Sequence, residues 1–361
     1  MLVFGVLPFA GLAYVLWHIC NMLSFCNVLR WTVAVAIVLA FSLVFLNVTR
    51  VIENIPIKVA TIVYEVGNSM LFILLYLVIL FAVVDIAVAC HLLPKHYLYN
   101  NRISAVAVTA LLSVIFLSGN IHYRNKKKVE LVVVSEKVKQ RDVKILMMSD
   151  LHLGYHNSRN EFRRWVDIIN SASPDIILVG GDIIDISIRP LYASDFAGEF
   201  KRLKAHVFAC LGNHEYYSGR ENALKFYKDA GITLLRDSAV NVDGICVIGR
   251  DDRSNTHRLP LKTIMQKYAK SGDYTILLDH QPHNLAEAES AGIDFQFSGH
   301  THHGQVWPIS WITDMIYEDA YGYCQKGTTQ YYVSSGMGIW GGKFRIGTQS
   351  EYLLLTLRGS H

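Results

Sequence analysis

Between Met1 and Ile121 only eight side chains carry a formal charge: Arg30, Arg50, Glu53, Lys58, Glu65, Asp85, Lys95 and Arg102. So little charge over so long a stretch cannot cover a water-soluble domain, and it points this third of the chain to a bilayer. Four apolar runs are long enough to cross one, which takes about 20 helical residues. They lie at approximately Leu2–Leu23, Trp31–Val48, Met70–Cys90 and Ser104–Ile121. Most lack a polar face, which excludes helices of a soluble surface. The first lacks a basic start and an A-x-A cleavage pattern and precedes three more spans, so it reads as retained rather than as a signal peptide. Residues 51–65, mixed around Pro56, suit the membrane interface. Asp85, the one acid inside a span, sits near its helix end, close to His91; an interfacial place is expected and no role is assigned.

An even number of spans puts both ends of this anchor on one side. That side carries Arg50, Lys58 and the cluster Arg124, Lys126, Lys127 and Lys128, against Arg30, Lys95 and Arg102 opposite. Basic residues mark the cytoplasmic face, so the remainder of the chain is expected in the cytoplasm. The stretch from Asn120 to Lys128 reads as a short linker whose cations attract anionic head groups.

Of 34 basic and 30 acidic residues, 29 and 27 remain for residues 122–361, an ordinary soluble composition. The net charge of +4 is small and spread along the chain, which gives no electrostatic case for nucleic acid. Cys20, Cys26, Cys90, Cys210, Cys246 and Cys324 form no C-x-x-C pair, so they read as small buried hydrophobes rather than a zinc ribbon or a disulfide framework.

From Val129 short apolar runs alternate with amphipathic segments. Val143–Met148, Ile176–Val179, Val207–Cys210, Ile245–Ile248, Thr275–Leu278 and Phe295–Phe297 are predicted strands; Glu161–Ala172, Asn222–Ala230 and Leu261–Lys270 are predicted helices. Alternation of this kind indicates an α/β domain. Polar blocks follow five of the strands: Ser149-Asp150-Leu151-His152, Gly180-Gly181-Asp182-Ile183-Ile184-Asp185, Leu211-Gly212-Asn213-His214-Glu215, Asp279-His280 and Ser298-Gly299-His300-Thr301-His302. Ligands gather at the carboxyl ends of strands in such sheets, so the five blocks point at one place. Carboxylates and imidazoles without a thiolate suit borderline and hard divalent metals. Glycines beside Asp182, Asn213 and His300 let backbone approach closely.

Singly, Asp150 could cap a helix, Asn213 could be a turn residue and His280 a core histidine. Jointly, D-x-H, G-D-x-x-D, G-N-H-E and G-H-x-H in this order resemble the calcineurin-like metallophosphoesterases over roughly Lys144–Leu357. The resemblance extends to Gly304–Pro308 and Ser334–Gly338 of a bacterial membrane-associated branch that includes UDP-2,3-diacylglucosamine pyrophosphatases. It implies a four-layer αββα sandwich behind a bundle of about four transmembrane helices, with residues 1–123 as the anchor and 124–361 as the domain. It further implies that Asp150, His152 and His302 hold one divalent ion, that Asn213, His280 and His300 hold a second, and that Asp182 bridges them; Mn, Fe and Zn all remain open. His214 would be the catalytic histidine and Asp185 its orienting acid or a structural residue. His303 departs from the usual glycine and His283 is an extra imidazole; both are expected outside the ligand set.

The expected activity is hydrolysis of a phosphodiester or diphosphate bond, on a substrate that a lipid can carry, with Trp307, Trp311, Ile312, Met315, Ile316 and Trp340 as acyl-chain contacts or as residues packed under the loops. Arg250 is expected to pair with acidic neighbours rather than phosphate. No G-x-S-x-G elbow or G-x-x-x-x-G-K-[ST] loop is present. Two other readings stay open: a membrane sensor or scaffold that keeps the fold without turnover, and a channel with an accessory domain, for which the spans lack paired ionisable residues.

Overall fold

The computed structural model describes residues 2–139 and 141–359, the side chains of residues 2–5 apart. The chain divides into two compact units, Met1–Asn120 with Gly341–Lys343, and Ile121–Trp340 with Phe344–His361.

The first unit is helical: α1 (Leu2–Met22), α2 (Asn27–Val48), α3 (Ile57–Ala89) and the greater part of α4 (Arg102–Arg124). The helices α2, α3 and α4 are each long and apolar enough to cross a membrane; the described apolar part of α1, Val6–Met22, is shorter. Their shared core holds Val15, Ile19, Phe41, Met70, Leu74, Leu77 and Phe81. Asp85 is engaged within this unit, accepting from the Tyr14 hydroxyl at 2.5 Å and lying 3.0 Å from His18 Nε2. This partly exposed carboxylate, with two partners on α1, joins α1 to α3.

The expected linker at 120–128 is not loose chain. The α4 helix runs to Arg124, and β1 (Lys127–Ser135) begins three residues later. Lys126 lies 2.6 Å from the Tyr123 carbonyl and over the Tyr123 ring, and Lys128 pairs with Glu130 at 2.5 Å. Two of the four cations expected to meet head groups therefore have partners within the second unit.

In that unit the chain continues through β2 (Val143–Met148), α5 (Arg159–Ser171), β3 (Ile176–Val179), α6 (Arg189–Ala193), α7 (Phe196–Phe200), β4 (His206–Ala209), α8 (Asn213–Tyr217), α9 (Arg220–Asp229) and β5 (Thr233–Leu234). It then forms β6 (Ser238–Val242), β7 (Ile245–Gly249), α10 (Leu261–Tyr268), β8 (Tyr274–Leu278), α11 (Ala286–Ala291), β9 (Phe295–Ser298), α12 (Ile309–Ile316), β10 (Gly322–Lys326), β11 (Thr329–Val333) and β12 (Glu351–Gly359). One sheet has the order β1-β12-β2-β3-β4-β5 and the other β10-β11-β9-β8-β7-β6. The strands β2 to β5 are mutually parallel, as are β7, β8, β9 and β11, while β12 pairs antiparallel with β2.

Period-two alternation separates the layers. Ile145, Met147, Ile176 and Leu178 face a core shared with Val247, Ile276, Leu278 and Phe297 of the other sheet. Their neighbours Leu146, Met148, Ile177 and Val179 face Phe162, Trp165, Val166 and Phe226 of the covering helices. On the far side Cys246, Ile248 and Leu277 meet Leu261, Ile264 and Leu285. The result is the expected four-layer αββα sandwich. The α5 helix shows how local signals set an element. Ser158 and Glu161 make a capping box at its start, and Phe162, Trp165, Val166 and Ile169 recur at helical spacing to bury one face. Each such burial contributes about 1.5–3 kcal/mol.

Candidate metal centre

Strands β2, β3 and β4 end beside one another in one sheet, and β8 and β9 end beside one another in the second. The residues after these ends meet. Asp150 and His152 follow β2, Asp182 and Asp185 follow β3, Asn213 and His214 open α8 after β4, His280 follows β8, and His300 and His302 follow β9. Asp150, His152, Asp182, His300 and His302 all have φ between 42° and 69°, a left-handed conformation uncommon outside glycine. Strain of that kind persists where surrounding structure over-determines it, typically at functional sites.

Three groups of side chains offer ligand atoms within 4.8 Å of one another: Asp150–His152–His302, Asp182–His280–His300 and His152–Asp185–His214. Asp182 Oδ2 lies 3.1 Å from His280 Nε2 and 3.7 Å from His152 Nε2. Asp150 Oδ1 lies 3.4 Å from His302 Nε2 and 3.8 Å from His152 Nε2. His152 and His302 bring their Nε2 atoms within 3.0 Å, and His300 Nδ1 lies 2.9 Å from Asn213 Oδ1. All seven residues named from the sequence as metal ligands are thus brought together. His214 Nδ1 lies 3.4 Å from Asp185 Oδ1, and the same oxygen is 3.4 Å from His152 Nδ1. Asp185 Oδ1 therefore lies equally near two imidazoles.

His303 and His283 lie outside these groups. His303 stacks on Tyr321 and lies 3.4 Å from Asp314, and His283 packs against Tyr317. Arg250 pairs with Asp279 and Glu287, at 3.1 and 3.0 Å, rather than with the adjacent Asp251 and Asp252.

The donor set fits divalent metal. His280 engages the Gly180 carbonyl through Nδ1 at 2.7 Å, which turns Nε2 toward Asp182; that buried nitrogen has no hydrogen-bond partner among the described residues. A metal-binding imidazole is characteristically held in this way, by a backbone carbonyl on its other nitrogen. Burial disfavours ionisation of Asp150 and Asp182, yet the facing imidazoles outweigh it and hold both carboxyls below the usual range. Burial and the neighbouring His280 lower His300 to about 4, which leaves a neutral ring suited to ligation.

Several supporting residues escaped the sequence reading. The Glu215 carboxylate accepts the backbone N–H groups of Gly212 at 2.7 Å, Ile184 at 3.0 Å and Asp182 at 3.1 Å, pinning two motif loops together. Burial, then the field of Asp182, raises it to about 7. It stands in the G-N-H-E block, so the signal was available. Arg345 is fully buried and donates to the carbonyls of His302, Ser335 and Gly338. Met337 N–H in turn reaches the Ser149 carbonyl at 3.0 Å. One cation thus fixes the loop after β9 and the loop after β11 around Asp150, and nothing near Arg345 in the sequence announces it. Gly212 and Gly299 owe their identity to space: a Cβ would overlap Asp182 at one and Asp150 at the other.

A family model described as calcineurin-like phosphoesterase matches residues 143–304. An uncharacterized metallophosphoesterase of Helicobacter pylori (strain J99) is 35% identical over 224 residues, covering 60% of this chain and 60% of that protein. One from Aquifex aeolicus is 31% identical over 229 residues, covering 61% of this chain and 87% of its own length. A transmembrane protein with metallophosphoesterase domain from Danio rerio is 28% identical over 278 residues, covering 72% and 63%. The match thus spans about three-fifths of the Helicobacter pylori relative. On these matches the chain belongs to the calcineurin-like metallophosphoesterases, a family of metal-dependent phosphoester hydrolases.

Proposed function

We propose that the chain is a membrane-anchored hydrolase that cleaves a phosphodiester or diphosphate bond of a lipid-linked substrate, using two divalent cations. The observation that carries this reading is the position of Asp182, whose Oδ2 faces His280 of one ligand group and His152 of the other. One carboxylate can then serve two ions. Asp150, His152 and His302 would hold the first, Asn213, His280 and His300 the second. When bound, such a pair supplies Lewis acidity toward phosphate oxygens and lowers the pKa of water from about 15.7 to about 7.

The chain's own groups do the rest. Asp185 Oδ1 lies 3.4 Å from His214 Nδ1, close enough to hold that side of the ring during the reaction, and Nε2 would then donate a proton to the leaving oxygen. The side chain of His214 keeps 12% of its surface accessible, so a substrate can reach it. The apolar residues near the motif loops support a lipid substrate. Trp311, Ile312, Met315 and Ile316 of α12 are 47–78% exposed, so they do not pack under the loops. Residues 1–123 would form the anchor and 124–361 the hydrolase domain, on the cytoplasmic side by the distribution of basic residues.

The test uses purified, Mn²⁺-loaded protein in detergent against lipid-linked diphosphates, glycerophosphodiesters, cyclic nucleotides and simple monoesters. Metal-dependent turnover is expected, with kcat/KM higher for a diacylated sugar nucleotide than for its deacylated form. Equal values for the two would remove the lipid from the proposal; no turnover of any phosphoester would favour a sensor or scaffold.

A further inference from the structure

The segment between β7 and α10 carries Arg250, Arg253 and Arg258 in eleven residues, 250–260, and forms one wall of a cleft of about 410 Å³. Buried acids hold it in shape. Asp251 accepts from Tyr216 and Arg236 at 2.6 Å, and Asp252 accepts from the Gln281 amide at 2.9 Å and the Ser254 hydroxyl at 2.6 Å. Such a segment is a fixed wall rather than a loose loop.

Its cations are not all paired. Arg250 and Arg258 share the Asp279 carboxylate, each at 3.1 Å, and Arg250 also meets Glu287. Two cations and two acids are thereby balanced. Arg253 is exposed and makes no hydrogen bond or ion pair with the described residues, and the carboxylate beside it in sequence, Asp252, turns to Gln281 and Ser254, so the cleft keeps one guanidinium without a direct ion-pair partner. Donor capacity remains as well. The buried Nε of Arg250 has no partner among the described residues, and Thr256 and Asn284 line the same cleft.

The cleft adjoins the metal centre by chain and by packing. Asp279 immediately precedes His280, Asp252 holds Gln281 just after it, and Asn284 follows four residues on. The field of Arg253 reaches His283 and Tyr317, whose rings are 4.9 Å apart, and the Tyr317 ring lies 6.3 Å from that of His300.

We infer that this cleft is an anion subsite in which Arg253 binds a second phosphoryl group of the substrate, one that is not itself cleaved. The inference rests on the proposed hydrolase reading and narrows it to substrates with two anionic groups, such as diphosphate diesters. A guanidinium pairs with phosphate through two parallel N–H donors, which a lysine cannot reproduce.

The experiment compares two substrates with full-length, Mn²⁺-loaded protein. Bis(p-nitrophenyl) phosphate has one anionic group, and a sugar nucleotide has a diphosphate. Arg253→Gln is exposed enough to leave the fold intact. It is expected to raise KM for the sugar nucleotide about 10-fold, or its Ki against bis(p-nitrophenyl) phosphate if it is not turned over. Arg253→Lys should recover part of the loss, and kcat/KM for bis(p-nitrophenyl) phosphate should stay within about twofold. An equal loss on both substrates, no loss on either, or a sugar nucleotide that neither reacts nor inhibits at millimolar concentration would overturn the subsite. Failure of the wild type to cleave bis(p-nitrophenyl) phosphate would instead count against the hydrolase reading. The subsite would then be read by calorimetric binding of the sugar nucleotide to wild type and Arg253→Gln, with equal affinities overturning it.

Discussion

The two sheets of the α/β unit bring different chemistry to their shared rim. The first contributes Asp150, Asp182 and Asp185 with Asn213, and among its imidazoles His152 and His214. The second contributes only imidazoles to the ligand groups, His280, His300 and His302. Its own acid at a strand end, Asp279, is held by Arg250 and Arg258. Two of the three ligand groups draw on both sheets, and the imidazoles of the second sheet have no counter-charge in these groups except the acids of the first. Those two groups exist only when the sheets are packed, so metal binding there should report on that packing and stabilise it by mass action.

The sharpest way to break this arrangement is to remove the charge that serves both sides. Asp182→Asn keeps the shape but loses the carboxylate facing His152 and His280. Activity should fall below detection, and bound metal per chain should drop. The rise in Tm on adding Mn²⁺ should shrink with it. Full occupancy with wild-type turnover would show that Asp182 does not link the two ligand groups.

His214 belongs to the first sheet but is not expected to hold metal. His214→Ala should therefore leave metal content unchanged while lowering kcat by ~10²–10⁴-fold. The loss should be larger for an alkyl leaving group, which needs a proton, than for p-nitrophenolate, which does not. A uniform loss across leaving groups would move His214 from proton donor to positioning residue.

The convergence of the candidate residues could be read in advance because each sits within a few residues of a predicted strand end. The strands β2 and β3 have the predicted bounds, and β4, β7, β8 and β9 differ by a residue at one or both ends. What could not be read depends on distant pairing. The edge strands β1 and β12 pair residue 127 with 351 through 135 with 359, and β10 and β11 form a polar hairpin; neither pair follows a ligand block. Arg345 illustrates the same limit within the site. Its partners lie at His302 and in Ser335–Gly338, and only the closed fold reveals that they share one cation.

Arg345 also sharpens the comparison, since it ties the loop after β9 to the loop that covers Asp150 of the other sheet. Arg345→Met keeps much of the bulk but leaves those carbonyls without their donor. Metal affinity should weaken by about 10–100-fold, the usual scale for residues that orient ligands. Excess Mn²⁺ should restore kcat, whereas it could not restore a lost ligand. Unchanged affinity in a calorimetric titration would mean that the loops hold without it.

The smallest expected effect on the site comes from a buried charge on the first sheet's outer helices. Glu199 of α7 has a fully buried side chain and accepts from Arg163 and Arg202 at 2.7 Å and from Arg159 at 2.9 Å. The helices over the second sheet pack mainly through Leu261, Ile264, Leu285 and Ala288. The hydrogen bond from Arg163 is the largest influence on Glu199; burial opposes it, and Arg202 and Arg159 add to it. Together they lower the carboxyl from 4.5 to about 2. A folded-state pKa below the unfolded one stabilises the fold above the unfolded value, and that stabilisation fades as pH falls through the folded value. Because the three guanidinium groups are 35–49% exposed, solvent screening reduces what such a shift is worth to about 1 kcal/mol at neutral pH. Glu199→Gln should thus lower the unfolding free energy by about that amount at pH 7. The gap to wild type should narrow below pH ~4.5 and nearly close toward pH ~2. Metal affinity and kcat should not change, because the cluster lies on the helix layer and not at the strand ends. A gap of constant size from pH 7 to pH 3 would show that the ionised carboxylate is not its source.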